Sequence, residues 1–390
     1  MVIVKTGLDV ILEEKRDDLK NGNLALLCNP ASVDNNYLHA RLAIENTYPG
    51  SLKALFSPQH GFFAEKQDNM IESGHIVDNV LDIPVFSLYG DARVPDDNMF
   101  DGIETLLIDI QDVGTRVYTF IYTISYCMEV AKKLNKKVII LDRPNPVNGN
   151  SIEGNFIEDN YRSFVGRYPI PMRHGLTVGE IALLFNEEFN IGCDLEIVKM
   201  ENWERDMYYK DTGVKWVIPS PNMPTPDTAN VYPGQVILEG TNVSEGRGTT
   251  QPFEIFGAPY IDTDRLLKEI ENIKGVFFRD VVFEPTSNKW AGERCFGFQI
   301  HITDLSEYNS YETTIRILRA IIKNHGDDFE WKQPPYEYEF RKKPIDMILG
   351  SRKIREKIEN LNHSVDDIFS GYEPALQKFK EVKSKYHLYK

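Results

Sequence analysis

Short apolar runs at Leu24 to Cys28, Leu52 to Phe56, Val85 to Leu88, Leu106 to Ile110 and Val138 to Leu141 have the length of buried parallel strands, and several stop at polar or Gly/Pro-rich loops. Between the last two, Phe120, Ile124, Cys127, Met128, Ala131 and Leu134 recur at helical spacing, which predicts a helix with one buried face. Strand, helix and strand in that order form a crossover unit. The first half is therefore expected to be α/β, a parallel sheet with helices on its faces. Ligands bind beyond the carboxyl ends of strands in such sheets. That rule selects three loops that each follow a predicted strand: SPQHGFFAEKQDN, DIQDVGTRVYT and LDRPNPVNG.

Further along, Thr177 precedes VGEIALLFNEEF with Glu180 three residues on, the pattern of a capped helix start. The proline-rich stretch from Ile218 to Asp227 reads as an irregular loop after a tryptophan-bearing strand. Beyond GTNVSEGRGTT the pattern changes. Helices are expected at Asp264 to Ile273 and Ser310 to Lys323, with strands near Val276 to Phe283 and Gly297 to Ile302. A chain of 390 residues exceeds one ordinary core. Two domains are expected, 1–250 and 251–390, with the helical stretch from Pro344 onward packed on the second.

The net charge of -15 repels phosphate backbones and anionic membrane surfaces, so neither nucleic acid nor membrane is an expected partner. Cys28, Cys127, Cys193 and Cys295 lack CxxC spacing and read as reduced core residues. The start MVIVKTGLDVILEEKRDD supports neither a secretory signal nor a membrane helix. A cytoplasmic protein is expected, or a secreted one where a leader has been removed. There is no GxGxxG after the first strand, and no GxxxxGK[ST], HExxH or GxSxG. His60, His75 and His174 match no familiar zinc spacing. No cofactor and no metal are expected.

Three loops carry candidate chemistry. In the first, His60, Glu65, Gln67, Asp68 and Asn69 crowd a glycine and aromatics. An acid beside apolar rings is desolvated and holds its proton, so Glu65 is the candidate general acid. The alternative is a Glu65 pairing with Lys66 or Arg93 that only orders the loop. In the second, Asp109 and Asp112 end a strand, and Gly114 permits a turn from which Arg116 and Tyr118 project. A guanidinium fork suits a substrate carboxylate, and an Asp112 to Arg116 salt bridge is the alternative. In the third, Asp142, Arg143, Asn145 and Asn148 offer partners for sugar hydroxyls, or merely a turn. Arg173 and His174 lie at a helix start that favours an anion. Asn222, Glu239, Asn242, Glu245, Arg247 and Thr249 cluster near the domain junction, where ligand clefts are common.

The series SPQHG, DIQDVGTRVYT, LDRPNP, the stretch from EGNFIE to MRHGLTVGE, PSPNMPT and EGTNVSEGRGTTQPFEIFGAPYI resembles the NamZ-type exo-β-N-acetylmuramidase family in order and spacing. The resemblance implies a Rossmann-like N-terminal domain, a smaller α+β C-terminal domain and a cleft between them. It implies an exo-acting glycoside hydrolase that releases N-acetylmuramic acid from non-reducing ends of peptidoglycan fragments in cell-wall recycling. Carried over by position, the loop glutamate falls on Glu65, and cleft positions fall on His60, Arg116, Tyr118, Asn145, His174, Asn222, Glu245 and Arg247. Many members carry PEHG where this chain has PQHG, so Gln59 stands in place of a carboxylate, and Ala64 stands for a common glycine. The divergent EKQDN marks a subgroup with another sugar specificity.

The expected reaction has Glu65 protonate the glycosidic oxygen. Asp68, Asp112, Glu245 or the substrate's own N-acetyl group would serve as its partner. The alternatives are a sugar-binding or sensing protein that kept the cleft and lost chemistry at Gln59, and a glycosidase of different specificity.

Overall fold

The structure is a computed structural model and describes residues 3–66, 72, 74–90 and 93–390. Seven strands form the larger sheet: β1 (Leu24–Cys28), β2 (Leu52–Ser57), β3 (Ile76–Val77), β4 (Pro84–Ser87), β5 (Thr105–Asp109), β6 (Lys137–Leu141) and β7 (Asp194–Val198). Their order is β3-β4-β2-β1-β5-β6-β7, parallel except where β3 meets β4. The expected strands lie within a residue or two of these ends. β3 and β7 were not foreseen.

Helices α1 (Gly7–Glu14), α2 (Ala40–Thr47), α3 (Phe120–Lys133) and α4 (Val178–Glu188) cover the sheet. Successive strand side chains point to opposite faces. Leu24, Leu26 and Cys28 of β1 therefore pack with Leu8, Ile11 and Ile44 of α1 and α2. Ala25 and Leu27 pack in the core that holds Ile124 and Met128 of α3 and Ile181 and Phe185 of α4. With both faces covered, the strands read as continuous apolar runs rather than alternating ones. Thr177 caps α4 in a reciprocal capping box with Glu180, as its spacing predicts.

The rest of the chain contributes α5 (Pro226–Gln235), β8 (Ile255–Ala258), α6 (Thr263–Ile270), β9 (Val276–Phe283), β10 (Cys295–Ile302) and α7 (Ser310–His325). A helical tail follows: α8 (Pro344–Leu349), α9 (Arg352–Glu359), α10 (Val365–Ser370) and α11 (Glu373–Ser384). The second sheet is antiparallel in the order β8-β10-β9. Phe256, Phe278 and Phe298 from its strands join the same apolar cluster as α3 and α4, so one core runs through both parts. Trp216 lies in irregular chain rather than a strand. Its ring meets Tyr209 edge-on and its indole N–H donates to Met223 O (3.1 Å). The tail packs on the second part through α9 and α10, which meet α7, as expected, and it also does more. α11 reaches back to the first part, where Lys383 Nζ donates to the carbonyls of Gly149, Asn150 and Gly175. Those loop carbonyls are buried and need donors that their own segment does not supply. Among the described residues no helix is long and apolar enough to cross a membrane.

The seam between the parts turns on Arg116, which is fully buried. Its guanidinium donates to the carbonyls of Asn155 and Ile170, and to Ile348 O (2.9 Å) and Leu349 O (3.0 Å) at the end of α8. Last-turn carbonyls of a helix have no intrahelical partner, so the cation satisfies them and the helix dipole together. Replacement of Arg116 by Met is expected to leave these acceptors unpaired and to lower stability by at least ~3 kcal/mol. A urea unfolding midpoint unchanged from wild type would contradict this.

Candidate active site

Loops after β2 and β5 converge with chain from the second part around a cavity. Gln59 and His60 line it from the β2 loop, Tyr118 and Thr119 from the β5 loop, and Ser220 and Asn222 from the proline-rich stretch. The second part contributes Tyr232, Glu239, Arg247, Phe253, Tyr336 and Glu337.

Among the described residues, Glu337 is one of two buried acids that line this space. It lies on the loop between α7 and α8 at φ +46° and is only 6% exposed. Tyr89 Oη donates to its Oε2 (3.0 Å), and Gln59 Nε2 approaches its Oε1 at 3.4 Å. Arg93 is 3.8 Å away. Burial raises this carboxyl above its ordinary range, and the charge of Glu239 pushes the same way; Tyr89, Arg93 and Gln59 oppose but do not cancel the shift. Gln59 is itself fixed by Thr119 Oγ1, which donates to its Oε1 (2.8 Å).

Glu239 has a contrasting environment. Arg247 Nη2 donates to one of its oxygens (2.6 Å) and Tyr336 Oη to the other (2.8 Å). Arg247 also faces Glu245 (3.3 Å), which Lys289 Nζ reaches at 2.6 Å. Burial pushes Glu245 up, but Lys289 and Arg247 outweigh it and hold the carboxyl below its ordinary range. Burial drives His60 down to about 4 despite its bond to Lys66 O. His60 is therefore neutral at pH 7, with Nδ1–H donating to that carbonyl and Nε2 left as an acceptor. Burial also raises the phenols of Tyr118, Tyr232 and Tyr336, so all three stay protonated as hydrogen-bond donors.

The structure thus brings together Gln59, His60, Tyr118, Asn222 and Arg247 from the sequence-derived set, with Glu245 directly behind Arg247. Other expected residues lie elsewhere. Glu65 is exposed, outside the cavity lining, its carboxylate laid over Gly61 where a Cβ would come within 2.7 Å of it. The apolar enclosure expected around it is not there. Asp68, like Gln67 and Asn69, lies outside the described residues. Arg116 is committed to backbone carbonyls and makes no salt bridge with Asp112, whose Oδ2 accepts the Gly114 N–H (2.7 Å). Gly114 is at φ +73°, and a Cβ there would lie 2.4 Å from Asn145 Oδ1, so the turn requires glycine. Asn145 is occupied in turn, donating to Leu176 O (2.9 Å) and accepting from Val147 N (3.1 Å). His174 Nδ1 accepts from Leu176 N, leaving Nε2 3.8 Å from Asp112. Arg143 clamps Asp109 with both nitrogens, and Arg173 pairs with Glu153. These positions build the floor under the site rather than its wall. Sequence reasoning missed Glu337. Its only local signal is an acid between tyrosines, in PPYEYEF.

A mostly parallel sheet whose loops meet a second α+β part around a cavity lined by carboxylates and phenols defines a hydrolase of the glycoside class. More particularly, the chain belongs to the NamZ exo-β-N-acetylmuramidase family. Family models for the N-terminal and C-terminal parts of exo-β-N-acetylmuramidase NamZ match residues 24–227 and 230–389. The chain is 42% identical, over 99% of its length and 91% of the relative's, to the peptidoglycan β-N-acetylmuramidase NamZ of Bacillus subtilis strain 168. A crystal structure of a DUF1343 family protein from Bacteroides fragilis NCTC 9343 superposes with a TM-score of 0.90 at 33% identity, covering 100% of both chains. A second DUF1343 protein of that strain gives 0.76 at 27% identity, covering 100% of this chain and 99% of its own.

Exchange of Gln59 for Glu would set two carboxyl groups about as close as the present 3.4 Å contact. Like charges at that range push one acid up. The Glu337 carboxyl, followed by its ¹³C chemical shift, is expected to titrate at higher pH in Gln59→Glu than in wild type. An identical or lower midpoint would show that the pair is not coupled.

Proposed function

We propose that this chain is an exo-acting β-N-acetylmuramidase that hydrolyses N-acetylmuramic acid from the non-reducing ends of peptidoglycan fragments, with Glu337 as general acid in place of Glu65. One observation carries the choice of acid: Glu337 is a buried carboxyl against the cavity whose proton affinity burial raises. A general acid must hold its proton at working pH and release it to the leaving oxygen. In this reading Glu337 gives its proton to the glycosidic oxygen as the bond to the anomeric carbon breaks, and the shortened fragment leaves as an alcohol. Positive charge then grows on the sugar ring. Glu239, ion-paired to Arg247 at 2.6 Å, supplies the opposing negative charge. Water then adds its oxygen to the anomeric carbon and gives up a proton that restores the Glu337 carboxyl, so the acid is regenerated.

Neutral His60, Tyr118 and Asn222 offer donors and acceptors for hydroxyl and acetamido groups. Gln59 in place of a carboxylate does not remove the acid from this pocket, which favours an enzyme over a binder. We propose cell-wall recycling in the cytoplasm as the setting. The four cysteines are buried and unpaired, which supports a reducing compartment.

On a chromogenic N-acetylmuramic acid glycoside, Glu337→Gln is expected to lower kcat by about 10³-fold, in the range seen for loss of a general acid. Glu65→Gln is expected to stay within a few-fold of wild type. Full activity in Glu337→Gln with loss in Glu65→Gln would return the acid to the β2 loop.

A further inference from the structure

N-acetylmuramic acid differs from N-acetylglucosamine by a lactyl ether that ends in a carboxylate. A site that prefers the first sugar needs a cation with donors to spare. Among the arginines described above, Arg116 is consumed by four carbonyls, Arg143 and Arg173 by buried acids, and Arg247 by Glu239 and Glu245. Arg93 is different. Its guanidinium lies 3.9 Å from the ring centre of Phe164 and 4.4 Å from that of Tyr338, with Tyr89 at 5.6 Å. Its Nη2 is buried yet makes no hydrogen bond among the described residues, and its contact with Glu337, 3.8 Å, is longer than a hydrogen bond; Arg93 is not itself in the cavity lining but adjoins it through Glu337.

We propose that Arg93, held between Phe164 and Tyr338, binds the lactyl carboxylate of the substrate and so selects N-acetylmuramic acid over N-acetylglucosamine. The inference rests on the functional reading above and names the residue responsible for its specificity. Aromatic faces orient the planar fork, so little side-chain entropy is lost when a carboxylate docks bidentately on donors that lack a partner. The lactyl methyl group gains apolar contact with the same rings. Placing this subsite beside Glu337 also makes electrostatic sense. A carboxylate bound there pushes the Glu337 carboxyl further in the direction that burial already sets.

The test is equilibrium binding of free N-acetylmuramic acid and free N-acetylglucosamine to the full chain by calorimetry, in wild type, Arg93→Gln and Arg93→Lys. Thermal unfolding of each variant controls for folding. Wild type is expected to prefer N-acetylmuramic acid by about 10- to 100-fold, the range for a charge-assisted pair. Arg93→Gln should lose most of that preference with little change for N-acetylglucosamine. Arg93→Lys, which keeps the charge without the fork, should fall between and carries the test if the Gln variant does not fold. Equal weakening for both sugars, or no preference in wild type, would overturn the proposal. Turnover of the chromogenic glycoside by wild type is scored separately. Preference without turnover would uphold the subsite and refute the activity.

Discussion

The cavity depends on the burial of Arg116. This cation sits where the β5 loop meets the tail, and it holds the end of α8 by the carbonyls of Ile348 and Leu349. The loop that carries Tyr336 and Glu337 runs directly into α8, so fixing that helix fixes the cavity's acidic wall. Asn155 reinforces the junction by donating to Leu349 O (2.7 Å) and accepting from Tyr311 Oη (2.6 Å). A buried cation is tolerated only where its donors are satisfied. Here the acceptors come from segments separated by as many as 233 positions, so the clamp forms only when the whole chain has folded.

Two glutamates at the cavity illustrate how environment divides roles between identical side chains. Glu239 is flanked by a guanidinium and a phenol, and Glu337 by a phenol, an amide and a more distant cation. At Glu337, burial with weaker compensation favours the neutral form. Behind them Glu245 and Lys289 form a further ion pair that keeps Arg247 in place. The chain's overall negative charge therefore says little about the local field, which cationic side chains set at short range.

The sheet was legible because its strands are buried on both faces, which writes them as uninterrupted apolar runs. β9 and the α4 capping box were equally plain, the first from its run and the second from Thr177 and Glu180. The edge strand β7 was not, since Leu195, Glu196 and Ile197 are only half-buried and carry a charge among them. Of the three loops singled out, those following β2 and β5 line the cavity and the one after β6 does not, and residue type did not reveal direction. Arg116 and Arg93 are the same side chain in loops of similar composition; one braces backbone and the other faces aromatic rings beside Glu337. Glu337 was illegible for a topological reason. Its partners Gln59 and Tyr89 lie 278 and 248 positions away, so nothing local marks it as enclosed.

A crystal structure of this chain with N-acetylmuramic acid bound is the most direct measurement of the central claim. The anomeric oxygen is expected within about 3 Å of the Glu337 carboxyl, with the ring inside the cavity and the lactyl group toward Phe164. A sugar seated at the outer surface of the β2 loop against Glu65, with Glu337 still bonded only to Tyr89 and Gln59, would contradict it.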